Sequence, residues 1–314
     1  MHSFSFGIVT SEKYIDETIG LIYNLSKLYP KFKIIICALD FISSYKLKKT
    51  HSNVKVFSPM NIWGDQKWKD MIKRMTVAET AYASKSGLAD FILRKISKSV
   101  LIMDSDLLFL SRINDILKEI KKYDVTLFSS LHPPQSWKKT RYVGIFSAGL
   151  IGFSESGKSA LKWWKESCYE KTRVNIFEGL YNEQKYLDYM LGVFNVKIIR
   201  DYGVNISATQ LGTNSLVKNK KKEWIIKNTK TKVRIFHNSR VTSHEIYDLK
   251  NKYIKKAYEE YLTQDFVKKK EVKRKKIIRI NFFLSTFEIM LVNFFNTLVD
   301  LKRFLIFIKT RFKK

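Results

Sequence analysis

Short apolar runs separated by longer stretches of helical period organise the first half of the chain. Phe4–Val9, Lys33–Leu39, Val54–Phe57 and Val100–Met103 have the length of strands buried on both faces. Between them, residues from about Glu12 to Leu28, and others within 66–97, repeat apolar positions at helical spacing. This alternation predicts an α/β chain, a mostly parallel sheet flanked by helices. Further on, Val125–Phe128 and Ile145–Phe153 read as strands, the second ending before Ser154. A helix is predicted at about 156–170, and Asn182 opens another. There is no internal repeat and no Pro/Gly-rich linker; the adjacent Pro133-Pro134 marks a loop.

Open α/β sheets bind ligands outside the carboxyl ends of their strands, where Thr10 and Asp104 both fall. The fourth run continues as Met103-Asp104-Ser105-Asp106-Leu107-Leu108. A strand buried on both faces does not carry two ionisable groups one residue apart unless something compensates their charge. Mg²⁺ or Mn²⁺ would do so, because hard cations take carboxylate oxygens and share their open positions with substrate phosphates. Asp104 and Asp106 are then the metal and diphosphate end of an active site. A strand that stops at Asp104, with a turn opening both carboxylates to water, explains the same residues without a metal.

With 314 residues, 45% hydrophobic and 14% aromatic, the chain can hold one α/β domain of roughly 250 residues plus an appendage, or two small domains. Cys37 and Cys168 are too few for a disulfide framework or a zinc cluster, which points to a reducing compartment. The N-terminus moves straight into a strand and shows no secretion signal. A net charge of +29 invites a nucleic-acid reading, but its distribution argues for a different partner. Residues 266–314 hold 14 Lys/Arg against Glu271, Glu288 and Asp300, around an apolar stretch from Ile280 to Leu301. That stretch is long enough to span a bilayer, yet Glu288, Asn293, Asn296 and Asp300 interrupt it, and a charge near the bilayer centre costs about 2.5–3.5 kcal/mol. A basic amphipathic helix lying in the interface fits better. The expected organisation is a catalytic domain over 1–262 and a tail over 263–314 that holds it peripherally on the anionic cytoplasmic face of a membrane. A C-terminal helix packed on the domain or on a second subunit is the alternative.

The order of the motifs resembles the GT-A-fold glycosyltransferases that use nucleotide-sugar donors. It is similar in particular to the bacterial members related to family eight that act in cell-surface polysaccharide assembly. The resemblance runs over about residues 4–240. Gly7-Ile8-Val9-Thr10-Ser11 and Tyr14 match the family's first strand and base-binding loop, which implies that Thr10 and Tyr14 contact the nucleobase and ribose. Glu79, Lys85 and Leu88 match the stretch before the Asp-x-Asp triplet and imply a phosphate contact for Lys85, although the family's proline after the lysine is absent. Phe146-Ser147-Ala148-Gly149 matches the strand where small residues let the donor sugar approach the backbone. The donor side then comprises Asp104, Ser105, Ser147, Ala148 and Gly149 as well. Asn182-Glu183-Gln184 matches an aspartate-glutamine signature with Glu183 in place of the aspartate, which implies that Glu183 binds sugar hydroxyls and Gln184 lies near the anomeric carbon. Arg234-Ile235-Phe236-His237 matches the strand that supplies a third metal ligand, His237, although the family's following glycine is missing. Asn205, in Asp201-Tyr202-Gly203-Val204-Asn205, falls on the acceptor side.

The resemblance implies transfer of a sugar from a nucleoside-diphosphate sugar to a glycan or lipid-linked acceptor. It also implies Gln184, Glu183 and Asp104 as the catalytic set, and Asp104, Asp106 and His237 as the residues that hold the metal. An amide at Gln184, where an inverting enzyme needs a carboxylate base, favours retention of configuration. Mixed oxygen and imidazole ligation leans to Mn²⁺ over Mg²⁺. Blander alternatives remain: Lys85 as a surface lysine, Asn182 and Glu183 as an ordinary helix start, His237 as a satisfied histidine at a strand end. For the whole chain they are a basic non-enzymatic protein binding nucleic acid or anionic lipid, an Asp-x-Asp phosphatase, and a nucleotidyltransferase.

Overall fold

The computed structural model describes residues 2–48, 50–131, 137–207 and 216–237, so the whole tail expected over 263–314 lies outside the described residues. The first half runs β1 (Ser5–Thr10), a 3-10 turn at Glu12–Tyr14, α1 (Ile15–Leu28), β2 (Lys33–Ala38), α2 (Phe41–Leu47), β3 (Val54–Phe57), α3 (Pro59–Trp63), α4 (Asp65–Arg74), α5 (Val77–Lys95) and β4 (Ser99–Met103). There follow β5 (Leu107–Phe109), α6 (Asn114–Ile120), β6 (Val125–Ser129), α7 (Trp137–Val143), β7 (Phe146–Ser154) and α8 (Lys158–Glu170). The remainder is β8 (Val174–Asn175), β9 (Leu180–Tyr181), α9 (Tyr186–Met190), β10 (Val196–Ile199), β11 (Leu216–Lys218), β12 (Trp224–Ile226) and β13 (Ile235–His237).

Seven strands form one sheet in the order β10-β6-β7-β4-β1-β2-β3. All neighbours are parallel except β7, which runs antiparallel to both β4 and β6. The sheet is therefore mostly parallel, with its reversed strand near the middle. Both faces are covered. Val100 and Ile102 of β4 point into a core with Leu88, Ile92, Ile151 and Trp164. Leu101 and Met103 point the other way, to Phe6, Ile22, Leu25 and Ile120. The uninterrupted apolar run at 100–103 is what such two-sided burial demands.

Local signals set the helix starts. Thr76 and Glu79 form a reciprocal capping box at the head of α5, so Glu79 serves the helix terminus. Asp40 caps α2 more simply, its carboxylate accepting from Ser43 N–H. The helix expected to open at Asn182 begins instead at Tyr186, because Asn182 takes a left-handed turn (φ 50°) and its N–H goes to Arg173 O. Among the described residues no helix is long and apolar enough to cross a membrane. Cys37 and Cys168 are both buried and free.

Candidate active site

β4 ends at Met103, and the turn Asp104-Ser105-Asp106 leads into β5. Asp104 N–H still donates to Gly149 O at 3.0 Å, which fixes the first carboxylate at the sheet's edge. β5 then pairs antiparallel with β13, with His237 opposite Leu107. That register carries a histidine from far along the chain to the two carboxylates. His237 Nε2 lies 3.3 Å from Asp106 Oδ1 and 3.8 Å from Asp104 Oδ2. One ligand atom from each of the three residues falls within 4.8 Å of the others. Gly149 makes the approach possible, since a Cβ there would collide with His237 Cε1 and stand 3.0 Å from Asp104 Oδ2.

On the other side of Asp104 is Lys85 of α5. Its Nζ is 2.5 Å from Asp104 Oδ1, 2.9 Å from Glu183 Oε1 and 3.2 Å from Ala148 O. Lys85 is 6% exposed and Glu183 3%, so the ion pairs are out of water. Burial opposes the charge on Lys85, but Asp104 and Glu183 more than offset it and hold the ammonium well above its ordinary pKa. Burial also raises Glu183, and Lys85 compensates only in part. Asp104 thus divides its oxygens, Oδ1 to Lys85 and Oδ2 toward His237.

The donor set suits a divalent cation. Asp106 Oδ1 is buried and accepts no hydrogen bond of good geometry, although an imidazole faces it. Burial pushes the Asp106 pKa up, and His237 reverses the shift to below the usual carboxylate range. For His237, burial acts downward and Asp106 more than offsets it, so the imidazole is raised. With the imidazole neutral, as a metal ligand must be, and the carboxylates ionised, Asp104, Asp106 and Glu183 against the ammonium of Lys85 leave two negative charges, the amount one divalent ion neutralises.

No family model matches the chain. A match of 38% identity over 78 residues to YfnF, an uncharacterised protein of Bacillus subtilis (strain 168), covers 24% of this chain and 26% of that relative. The match thus spans about a quarter of the relative's length. The fold comparison reaches further. A galactosyltransferase, LgtC, solved with donor and acceptor sugar analogues, superposes with a TM-score of 0.54 at 11% identity over 84% of this chain and 99% of LgtC. An active-site mutant of LgtC that replaces a glutamine by glutamate gives 0.54 at 12% identity over 82% and 94%. The chain has the GT-A fold.

Within this GT-A chain the expected residues are distributed unevenly. Asp104, Asp106, His237, Lys85, Glu183, Ala148 and Gly149 share one site, as the contacts above show. Lys85, expected at a phosphate, has its ammonium on three partners, Asp104, Glu183 and Ala148 O, which use its three donors. Gln184 donates Nε2–H to Val143 O at 2.7 Å and accepts from Ala148 N–H at 3.2 Å, so its amide ties the approach to α9 to the head of β7. Ser147 Oγ accepts from Gly149 N–H at 3.2 Å, and Ser105 is buried in the turn. Thr10, expected at the nucleobase, is buried with its hydroxyl against Thr18 Oγ1 at 2.7 Å, fastening β1 to α1. Tyr14 keeps an exposed ring, 44% accessible. Asn205, expected on the acceptor side, is buried behind the carboxylates with Oδ1 2.7 Å from His237 Nδ1.

Two residues escaped the sequence reading. Tyr82, one turn before Lys85 on α5, lies with its ring centre 5.7 Å from Lys85 Nζ, and burial together with Glu183 raises its hydroxyl's pKa. Trp164 of α8 donates Nε1–H to Glu183 O at 3.1 Å and holds the backbone that carries the carboxylate. A signal for the burial of Lys85 was available. It stands in Ala83-Ser84-Lys85-Ser86-Gly87, a run of small residues that packs tightly, with Gly87 against the Trp63 ring.

Proposed function

We propose that the chain is a metal-dependent glycosyltransferase that moves a sugar from a nucleoside-diphosphate sugar to a glycan or lipid-linked acceptor. The observation that supports this best is the Asp104, Asp106 and His237 cluster at the carboxyl end of β4, next to the buried Lys85–Glu183 pair. LgtC, which shares the fold, was solved with donor and acceptor sugar analogues.

Asp104 Oδ2, Asp106 and His237 Nε2 would hold the cation, and imidazole among the oxygen ligands favours Mn²⁺. When bound, the ion supplies Lewis-acid stabilisation of the charge that grows on a leaving diphosphate. The chain's own residues set up the sugar side. Lys85 neutralises Asp104 and Glu183 and keeps their carboxylates from repelling each other, and Glu183 is the group for donor-sugar hydroxyls. Gln184, anchored through both ends of its amide, presents no carboxylate base, which favours retention of configuration. Tyr14 offers the exposed ring for the nucleobase.

In the same reading residues 263–314 are the peripheral anchor to an anionic membrane face, each Lys or Arg contributing about 1 kcal/mol. Nucleotide-sugar hydrolysis by the purified chain, with and without Mn²⁺, tests the activity. Turnover that needs Mn²⁺ and is abolished in a folded Asp106→Asn variant is the expected result. Full turnover in excess EDTA would overturn it.

A further inference from the structure

The loop from Asp201 to Ser207 is zipped along β13. Ile206 bridges Phe236 in parallel, Ile206 N–H donates to Ile235 O at 3.3 Å, and His237 N–H donates to Ile206 O at 2.8 Å. The pairing sets Asn205 beside the imidazole, the two residues 3% and 6% exposed. Asn205 takes φ 64°, a left-handed conformation that asparagine tolerates better than most residues. Its Oδ1 lies 2.7 Å from His237 Nδ1, while Nε2, on the far side of the ring, faces Asp106 Oδ1 and Asp104 Oδ2.

A neutral imidazole has one N–H to place. On Nε2 it would donate to Asp106 and leave no lone pair for a cation. On Nδ1 it donates to the Asn205 carbonyl and leaves the Nε2 lone pair aimed between the carboxylates. Asp106 Oδ1 accepts no well-formed hydrogen bond although Nε2 is 3.3 Å away, which fits the second arrangement.

We infer that Asn205 is a positioning residue: its side-chain carbonyl holds the imidazole proton of His237 on Nδ1 and so makes Nε2 a cation ligand. This rests on the metal reading of the site proposed above. Outer partners of this kind typically change metal affinity 10- to 100-fold.

The test uses the full chain and two readouts besides turnover, long-range ¹⁵N–¹H spectra of the imidazoles and titration with Mn²⁺ alone. The His237 signal is assigned by its loss in His237→Gln. With the pH raised until the imidazole is neutral, the expected wild-type proton is on Nδ1. Asn205→Asp keeps an acceptor oxygen and should bind Mn²⁺ at least as tightly as wild type. Asn205→Gly suits the backbone angle but lacks the acceptor, and should lose the Nδ1 preference and weaken Mn²⁺ about tenfold or more. A wild-type proton on Nε2, which is read without any variant, overturns the inference, as does unchanged Mn²⁺ affinity in Asn205→Gly. A wild-type chain that keeps the proton on Nδ1 yet binds no Mn²⁺ overturns the metal reading and supports the Asn205–His237 bond.

Discussion

The ammonium of Lys85 sits 2.9 Å from the carboxylate of Glu183, with side chains 7% and 4% exposed, although the two residues are 98 positions apart in the chain. Removing one partner of such a pair leaves an uncompensated buried charge, which costs about 3–5 kcal/mol. Lys85→Met should lower unfolding free energy in urea by that amount, while Lys85→Met with Glu183→Gln should cost less than the sum of the two single changes. Strict additivity would show that the two side chains do not support each other.

Glu183 also carries a prediction about ligands. If Glu183 binds two sugar hydroxyls as proposed, Glu183→Ala should lose charge-assisted hydrogen bonds and cost about 1.5–3 kcal/mol of sugar recognition. Calorimetry should show intact nucleotide-sugar weakened accordingly and free nucleoside diphosphate almost unchanged. Equal weakening of both ligands would return Glu183 to a purely structural partner of Lys85.

Gly149 allows His237 and Asp104 to meet, so Gly149→Ala displaces the imidazole without burdening either core. The expected variant is folded by circular dichroism but binds Mn²⁺ about tenfold more weakly, a loss comparable to that of an outer-sphere partner. Wild-type affinity would mean that the strand yields, and that the close approach is not what fixes the ligand.

Acid stability should reveal a contact remote from the site. Asp90 of α5 meets Lys165 of α8 at 2.5 Å and Arg94 at 2.9 Å. Burial raises its pKa, but Arg94 and Lys165 more than offset this and leave it below the usual carboxylate value. A depressed folded value means stability that is present above the unfolded pKa, about 3.9, and lost as pH falls through the lower folded value. Asp90→Asn should therefore be less stable than wild type at neutral pH, with the gap closing below about pH 4. A gap that persists at acid pH would assign the loss to packing.

Much of the frame was legible in the sequence because two-sided burial leaves a plain trace. Val54–Phe57 was read with its observed bounds, since Asn53 and Ser58 punctuate both ends of the run. Asp104 and Asp106 stood out for the same reason, as charges where apolar residues were required. The reversal of β7 left no trace, because a strand buried on both faces reads alike in either direction. Asn182 misled because a capping residue and a left-handed turn residue are the same kind of side chain. The pairs Lys85–Glu183, Asn205–His237 and Asn24–Phe109 join distant positions that no local pattern links.

The last of these pairs bears on how the site is finished. Asn24 of α1 bonds both backbone groups of Phe109, donating to its carbonyl at 3.0 Å and accepting from its N–H at 2.9 Å. α1 thereby steadies β5, the strand on which β13 must later settle. On a ribosome the carboxylates would be in place while the histidine was still unmade. An ion held by the three would then act as a clasp between earlier and later portions of the polypeptide, and ion-linked stability would register whether β13 had docked in register.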